Sequence, residues 1–167
     1  LMKTASTVHA VAFSPDGCRL AAAGDEGTVQ VWDSRTRQRV LEFRDHGKPV
    51  QAMDFSPAGD QIASAGRDRS IKIWDPATGK VLWTLPVDDR DVRSVAFSRC
   101  GQWLAVAGRN HQVEIWRLNT QKVEFVYDCE YPACQVKFSP AGQILAIATS
   151  DGALRFWEFR RGESYTR

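Results

Sequence analysis

The 167-residue chain has no long hydrophobic run, no cysteine pair at metal or redox spacing, and no surplus of charge of one sign. Its longest apolar runs, LAAA at 20–23 and ILAIA at 144–148, have the length of a strand, far short of the roughly 20 apolar residues that a membrane-crossing helix needs. The opening stretch LMKTASTVHAVAF lacks the apolar centre of a secretory signal, so the chain is expected to be soluble and cytoplasmic. Cys18, Cys100, Cys129 and Cys134 form no C-x-x-C pair and have no histidine-rich companion. That removes the usual zinc and dithiol signatures and leaves free thiols in a reducing compartment as the expected state. With 22 basic and 20 acidic residues, a net charge of +2, there is no global attraction to nucleic acid or to a membrane, and neither is expected as a partner. A Gly-rich phosphate loop, a pair of carboxylates with a reason to converge and a nucleophile with a neighbouring base are all missing. Catalysis is therefore not expected, and neither a cofactor nor a metal is implied.

What the chain does have is repetition. VAFSPDG at 11–17 returns as MDFSPAG at 53–59, VAFSRCG at 95–101 and VKFSPAG at 136–142. Phe13, Phe55, Phe97 and Phe138 are spaced by 42, 42 and 41 residues, and Trp32, Trp74, Trp116 and Trp157 each follow their Phe by 19. From Trp to the next Phe the interval is 23, 23 and 22, so the one change of length falls between Trp116 and Phe138. Self-similarity at such a period marks one supersecondary unit stacked several times.

Within a unit, the first apolar stretch ends in a turn whose Pro15 presets φ and whose Gly17 supplies a conformation other residues resist. RLAAAG, QIASAG, WLAVAG and ILAIAT follow, and then TVQVW, SIKIW, QVEIW and ALRFW, all apolar or β-branched and of strand length. Turn-like DEG, RDR, RNH and SDG separate the two series. A polar turn after each Trp leads to a fourth strand such as RVLEF or KVLWTL. Each unit thus reads as a four-stranded antiparallel meander. Small residues such as Ala21 to Ala23 beside a large Trp imply sheets that bury their faces on neighbouring copies. Trp83 and Trp103 are expected to pack between units.

VWD at 31–33 and IWD at 73–75, together with AFSPDG, resemble the WD-repeat family of β-propellers, and the resemblance covers the whole chain. It implies an all-β fold: four blades of four-stranded antiparallel sheet, at about 1–42, 43–84, 85–126 and 127–167, forming part of a larger seven- or eight-bladed ring. The departures are Arg117 and Glu158 after the third and fourth Trp, and SRC at 98–100 in place of SPD.

The composition of His46, Ser64 and Asp68 would suit a Ser-His-Asp hydrolase. Their spacing, with Trp74, instead matches the family's structural tetrad, in which the His bonds the Asp of a turn and Ser and Trp extend the chain. The same positions read Thr4, Ala22, Glu26, Trp32 in the first repeat, then Asp88, Val106, Asn110, Trp116, and finally Cys129, Ile147, Asp151, Trp157. The second repeat alone has the full set. His9 and His111 fall near loops and read as surface contacts.

The resemblance also makes the loops before the first strand and between the second and third strands the usual binding face. Just before the tetrad Asp position stand Asp25, Arg67, Arg109 and Ser150, and four residues before the Phe stand His9, Gln51, Arg93 and Cys134. Arg67, Arg93 and Arg109 are candidates to receive a carboxylate or phosphate through their planar forks, with Gln51, His9 and Asp25 beside them; three solvated arginines are the alternative. The functional expectation is a non-enzymatic scaffold or sensor module that binds a protein or peptide, acidic or phosphorylated. The rival readings are a self-assembling half-propeller and, further off, an enzyme with its site in the propeller channel. Counting from the aromatic landmarks puts Leu1 in a fourth strand and Arg167 one register position short of it, so 167 residues amount to four repeats. The first and last sheets are accordingly expected to be covered, by further repeats of a longer parent chain in the first instance, or by a second copy that makes an eight-bladed ring.

Overall fold

The computed structural model describes residues 6–88, 91–160 and 163–166, with Phe159, Arg160 and residues 163–166 described by their backbone alone. Leu1, Thr4 and Arg167, which carry expectations above, lie outside the described residues. Among those described, sixteen strands form four antiparallel sheets, each a meander of four consecutive strands. Sheet 1 holds β1 (Val8–Phe13), β2 (Arg19–Gly24), β3 (Val29–Asp33) and β4 (Arg39–Phe43); sheet 2 holds β5 (Val50–Phe55), β6 (Ile62–Gly66), β7 (Ser70–Trp74) and β8 (Val81–Pro86). Sheet 3 holds β9 (Ser94–Phe97), β10 (Trp103–Ala107), β11 (Gln112–Arg117) and β12 (Lys122–Asp128); sheet 4 holds β13 (Ala133–Phe138), β14 (Ile144–Thr149), β15 (Leu154–Arg160) and β16 (Glu163–Thr166). The chain divides into two compact units, Leu1–Asp91 with sheets 1 and 2, and Val92–Arg167 with sheets 3 and 4.

The repeated F-S-x-x-G turn is built the same way four times. The N–H groups of Gly17, Gly59, Gly101 and Gly142 donate to the carbonyls of Ser14, Ser56, Ser98 and Ser139 at 2.7 to 2.9 Å. Each glycine stands at φ between 70° and 74°, the left-handed region that a Cβ disfavours. The serine hydroxyls accept the N–H of Arg19, Gln61, Trp103 and Ile144, five residues on, at 2.9 to 3.1 Å. The turn therefore needs Ser and Gly, whereas its proline only presets a dihedral, which is why SRC at 98–100 folds like SPD.

After each Trp the chain turns again. Asp33 Oδ1 accepts the N–H groups of Arg35 (3.0 Å) and Thr36 (2.6 Å) and the Thr36 hydroxyl (2.9 Å). Asp75 does the same for Ala77 N–H (2.7 Å) and the Thr78 hydroxyl (2.9 Å). The aspartate of the W-D pair is thus an Asx cap. Where Arg117 replaces it, the backbone bond from Gln121 N–H to Arg117 O (2.9 Å) still closes the turn.

Cross-strand pairing puts Ala10, Ala12, Ala21, Ala23, Val29, Val31, Leu41 and Phe43 on one face of sheet 1. In the first unit this small, β-branched face packs on Met53, Phe55, Ile62 and Trp74 of sheet 2. In the second unit the corresponding face of sheet 3, with Ala105, Ala107, Val113 and Ile115, packs on Val136, Leu145, Ile147 and Trp157 of sheet 4. Each sheet alone has one row of small side chains and one of large ones. Stacking large on small fills the space at close-packed density. Trp103 packs against the second core, tilted to Phe125 at 5.9 Å and with the Arg117 guanidinium 5.3 Å from its ring centroid.

Candidate functional site

His46 lies between β4 and β5, Ser64 on β6, Asp68 in the β6–β7 turn and Trp74 at the end of β7, and the first unit brings all four together. Trp74 Nε1 donates to Ser64 Oγ at 3.1 Å, Ser64 Oγ lies 2.8 Å from His46 Nε2, and His46 Nδ1 lies 2.9 Å from Asp68 Oδ2. An indole can only donate and a carboxylate can only accept, which fixes the two ends; with the imidazole neutral, Nδ1 carries the proton toward Asp68 and Nε2 accepts from Ser64. Burial pushes the His46 pKa below its usual value, against the pull of the Asp68 charge. Burial opposes ionisation of Asp68 as well, yet hydrogen bonds from His46 and Ser70 hold its carboxyl below the usual range.

The same geometry argues against a hydrolase. A nucleophilic serine must present its oxygen to a substrate. Ser64 is 0% exposed and its oxygen already accepts the Trp74 N–H. The four groups tie the loop before β5 to the β6–β7 turn. Close approach is part of the design: a Cβ on Gly66 would come within 2.6 Å of His46 Nδ1 and 2.7 Å of Asp68 Oδ1.

The other repeats solve the same problem differently. In the first, Ala22 and Glu26 line a water-sized cavity with Ser6, Thr7 and Gln30. In the third, Trp116 Nε1 donates to Glu114 Oε2 at 2.8 Å, where Val106 offers no acceptor. In the fourth, Asp151 accepts from Thr149 Oγ1 (2.6 Å) and Arg155 Nη2 (2.9 Å). The Arg155 bonds, with that from Thr149, hold the Asp151 carboxyl well below the usual carboxylate range. Glu114 and Arg155 occupy the register of Lys72, which pairs with Asp45 at 2.8 Å. The signal in the sequence was a polar residue two before each of the four in-phase tryptophans, at Gln30, Lys72, Glu114 and Arg155.

On the loop side of the first unit, His9 Nε2 lies 2.6 Å from Asp25 Oδ1, both exposed. The hydrogen bond from His9 holds the Asp25 carboxyl below its usual value. Arg67 is exposed but tethered: with its amide oriented to suit its neighbours, Gln51 accepts from Arg67 Nη2 (2.9 Å) and Nε (3.0 Å) and donates to Asp91 Oδ1 (2.8 Å). Asp91 Oδ1 is itself 3.9 Å from Arg67 Nη2. Asp91 was missed from the sequence, since it sits two residues before a register position and has Thr7, Pro49 and Pro132 as its equivalents. In the second unit, Arg93 Nη1 lies 3.7 Å from Cys134 Sγ, Arg109 is exposed, and the exposed His111 places Nδ1 3.0 Å from the Glu130 carbonyl.

Four-stranded meanders, stacked large row on small row and closed by Ser-Gly and Asx turns, are blades of a β-propeller. The family description WD domain, G-beta repeat matches residues 2–33 and 37–75, and the description Anaphase-promoting complex subunit 4 WD40 domain matches residues 95–166. WD40 repeats thus run across the chain, which belongs to the WD40-repeat proteins. A search of the curated proteins finds none that matches the chain. WD40 domains are typically protein-interaction scaffolds and generally non-catalytic.

Proposed function

We propose that the chain is a cytoplasmic, non-catalytic interaction module whose loops take an acidic or phosphorylated segment of a protein partner, with Arg67 in the first unit and Arg93 and Arg109 in the second contributing the positive charge. What supports this reading is the way Arg67 is held. Gln51 grips its Nε and Nη2 edge while 55% of the side chain stays exposed, so the guanidinium plane is oriented before any partner arrives. Preorganisation of this kind lowers the entropy lost on binding, and a planar fork suits carboxylate or phosphate. Asp91 is a distant and therefore weak competitor at 3.9 Å.

The experiment is a binding titration with an acidic peptide carrying phosphoserine, its unphosphorylated form and a neutral control. Replacing Arg67, Arg93 and Arg109 by Glu should weaken binding of the acidic peptides by at least about tenfold while the melting temperature holds. Wild-type binding should weaken with salt, as exposed charge pairs are screened. Equal binding of acidic and neutral peptides overturns the reading.

A further inference from the structure

Two sheet faces stand out because they are exposed where most of their register equivalents are buried. Val11 and Phe13 on β1 are 65% and 63% exposed, whereas Met53 and Phe55 at the same positions of β5 are 8% and 5% exposed, and Val95 and Phe97 of β9 are 2% and 6%. On β15, Leu154 and Phe156 are 67% and 58% exposed, whereas Val29, Val31, Ile71, Ile73, Val113 and Ile115 are all 0% exposed. Large apolar side chains exposed together on one face mark a surface that something covers.

The chain itself says what shape the cover has. The face of sheet 4 with Leu154 and Phe156 corresponds in register to the face of sheet 1 that receives Met53 and Phe55. The face of sheet 1 with Val11 and Phe13 corresponds to the face of sheet 2 that delivers Met53 and Phe55. They are the two halves of one interface, which the chain builds within its first unit and again within its second. We propose that a second copy of this chain packs its Val11–Phe13 face onto the Leu154–Phe156 face of the first, repeating between molecules the sheet-on-sheet stacking within each unit. Lys137 on that face is no obstacle. Asp54 holds the same position in sheet 2, whose neighbouring Ala63, Ala65, Ile71 and Ile73 are buried all the same.

Such a contact is heterologous, since different faces of the two copies meet, and this makes it testable without reference to the proposed peptide site. Sedimentation velocity of the 167-residue chain at ~1 to 100 μM should show reversible self-association. Phe13→Arg and Phe156→Arg each spoil one half, and each variant alone should associate at least about tenfold more weakly. Mixing the two variants should restore association, because one molecule keeps an intact β1 face and the other an intact β15 face. Both side chains are exposed, so neither variant should lose its melting transition, which is checked by circular dichroism. A wild-type monomer at 100 μM overturns the proposal. So does a Phe156→Arg variant that associates like wild type, which would mean that β1 faces pair with each other. The triple Arg→Glu variant of the peptide test should self-associate normally, so the two proposals fail separately.

Discussion

Phe43 and Trp74 lie ring on ring, with centroids 4.3 Å apart and planes within 1° of parallel. The pair joins the end of β4 in sheet 1 to the end of β7 in sheet 2, and the same indole donates to Ser64. Packing between the sheets of the first unit and the hydrogen-bonded chain through His46 therefore share one side chain. His46 also meets Phe43 edge-on, at 6.1 Å between centroids.

Phe43→Ala should consequently be among the most damaging single changes in the first unit. Phe→Ala in a core costs about 3 to 5 kcal/mol, and here the loss also leaves one face of Trp74 uncovered. Phe43→Leu should cost less than half of that, because Leu85 fills the equivalent place in sheet 2 with 0% exposure. Urea unfolding followed by tryptophan fluorescence measures both.

His46→Ala should destabilise by about 1 to 3 kcal/mol, since it leaves the Ser64 hydroxyl and the Asp68 carboxylate without their partner. Gly66→Ala should cost a similar amount by a different route, as its Cβ would collide with His46 Nδ1 and Asp68. Glu26→Ala, at the exposed position matching Asp68 in the first repeat, should stay within about 0.5 kcal/mol of wild type. Equal losses at His46 and Glu26 would remove the structural role of the tetrad.

Acid should weaken the fold in two windows. Because burial depresses the His46 pKa, the unfolded chain takes up a proton near the ordinary histidine value of 6.5 while the folded chain does not. Stability is then complete above about pH 6.5 and falls as pH drops from there toward the lower folded value. Asp68, also depressed, adds a second loss that starts near the ordinary aspartate value of 3.8 and has the same sign. In His46→Gln the first window should flatten while the second persists, as measured by unfolding free energy between pH 7.5 and 5 and then below 4.

Gln121 and Arg37 adopt φ of 55° and 61° at turn positions where Gly79 stands at 74°. A left-handed conformation costs a residue with a Cβ about 1 to 2 kcal/mol, partly offset by the greater freedom of glycine in the unfolded chain. Gln121→Gly and Arg37→Gly should each raise the melting temperature slightly, and Gly79→Gln should lower it. A drop in melting temperature for both glycine variants would show that these two side chains make contacts worth more than the strain.

The local devices of this protein were legible in its sequence because each is short-range chemistry repeated in phase. Ser and Gly at fixed offsets close the first turn, Asp caps the last, and alternating small and large residues mark the two faces of every sheet. Fourfold repetition lifted those signals above chance, and the resemblance to the WD-repeat family picked out His46, Ser64, Asp68 and Trp74 as a set. What the tertiary structure alone decided are the contacts between residues with no fixed offset. The tie of Gln51 and Arg67 to Asp91 depends on where separate loops come to lie. The exposure of Val11, Phe13, Leu154 and Phe156 was likewise invisible residue by residue, since their letters match buried positions in the other repeats. Burial belongs to the neighbour that covers a side chain, and that neighbour is set by which sheets stack.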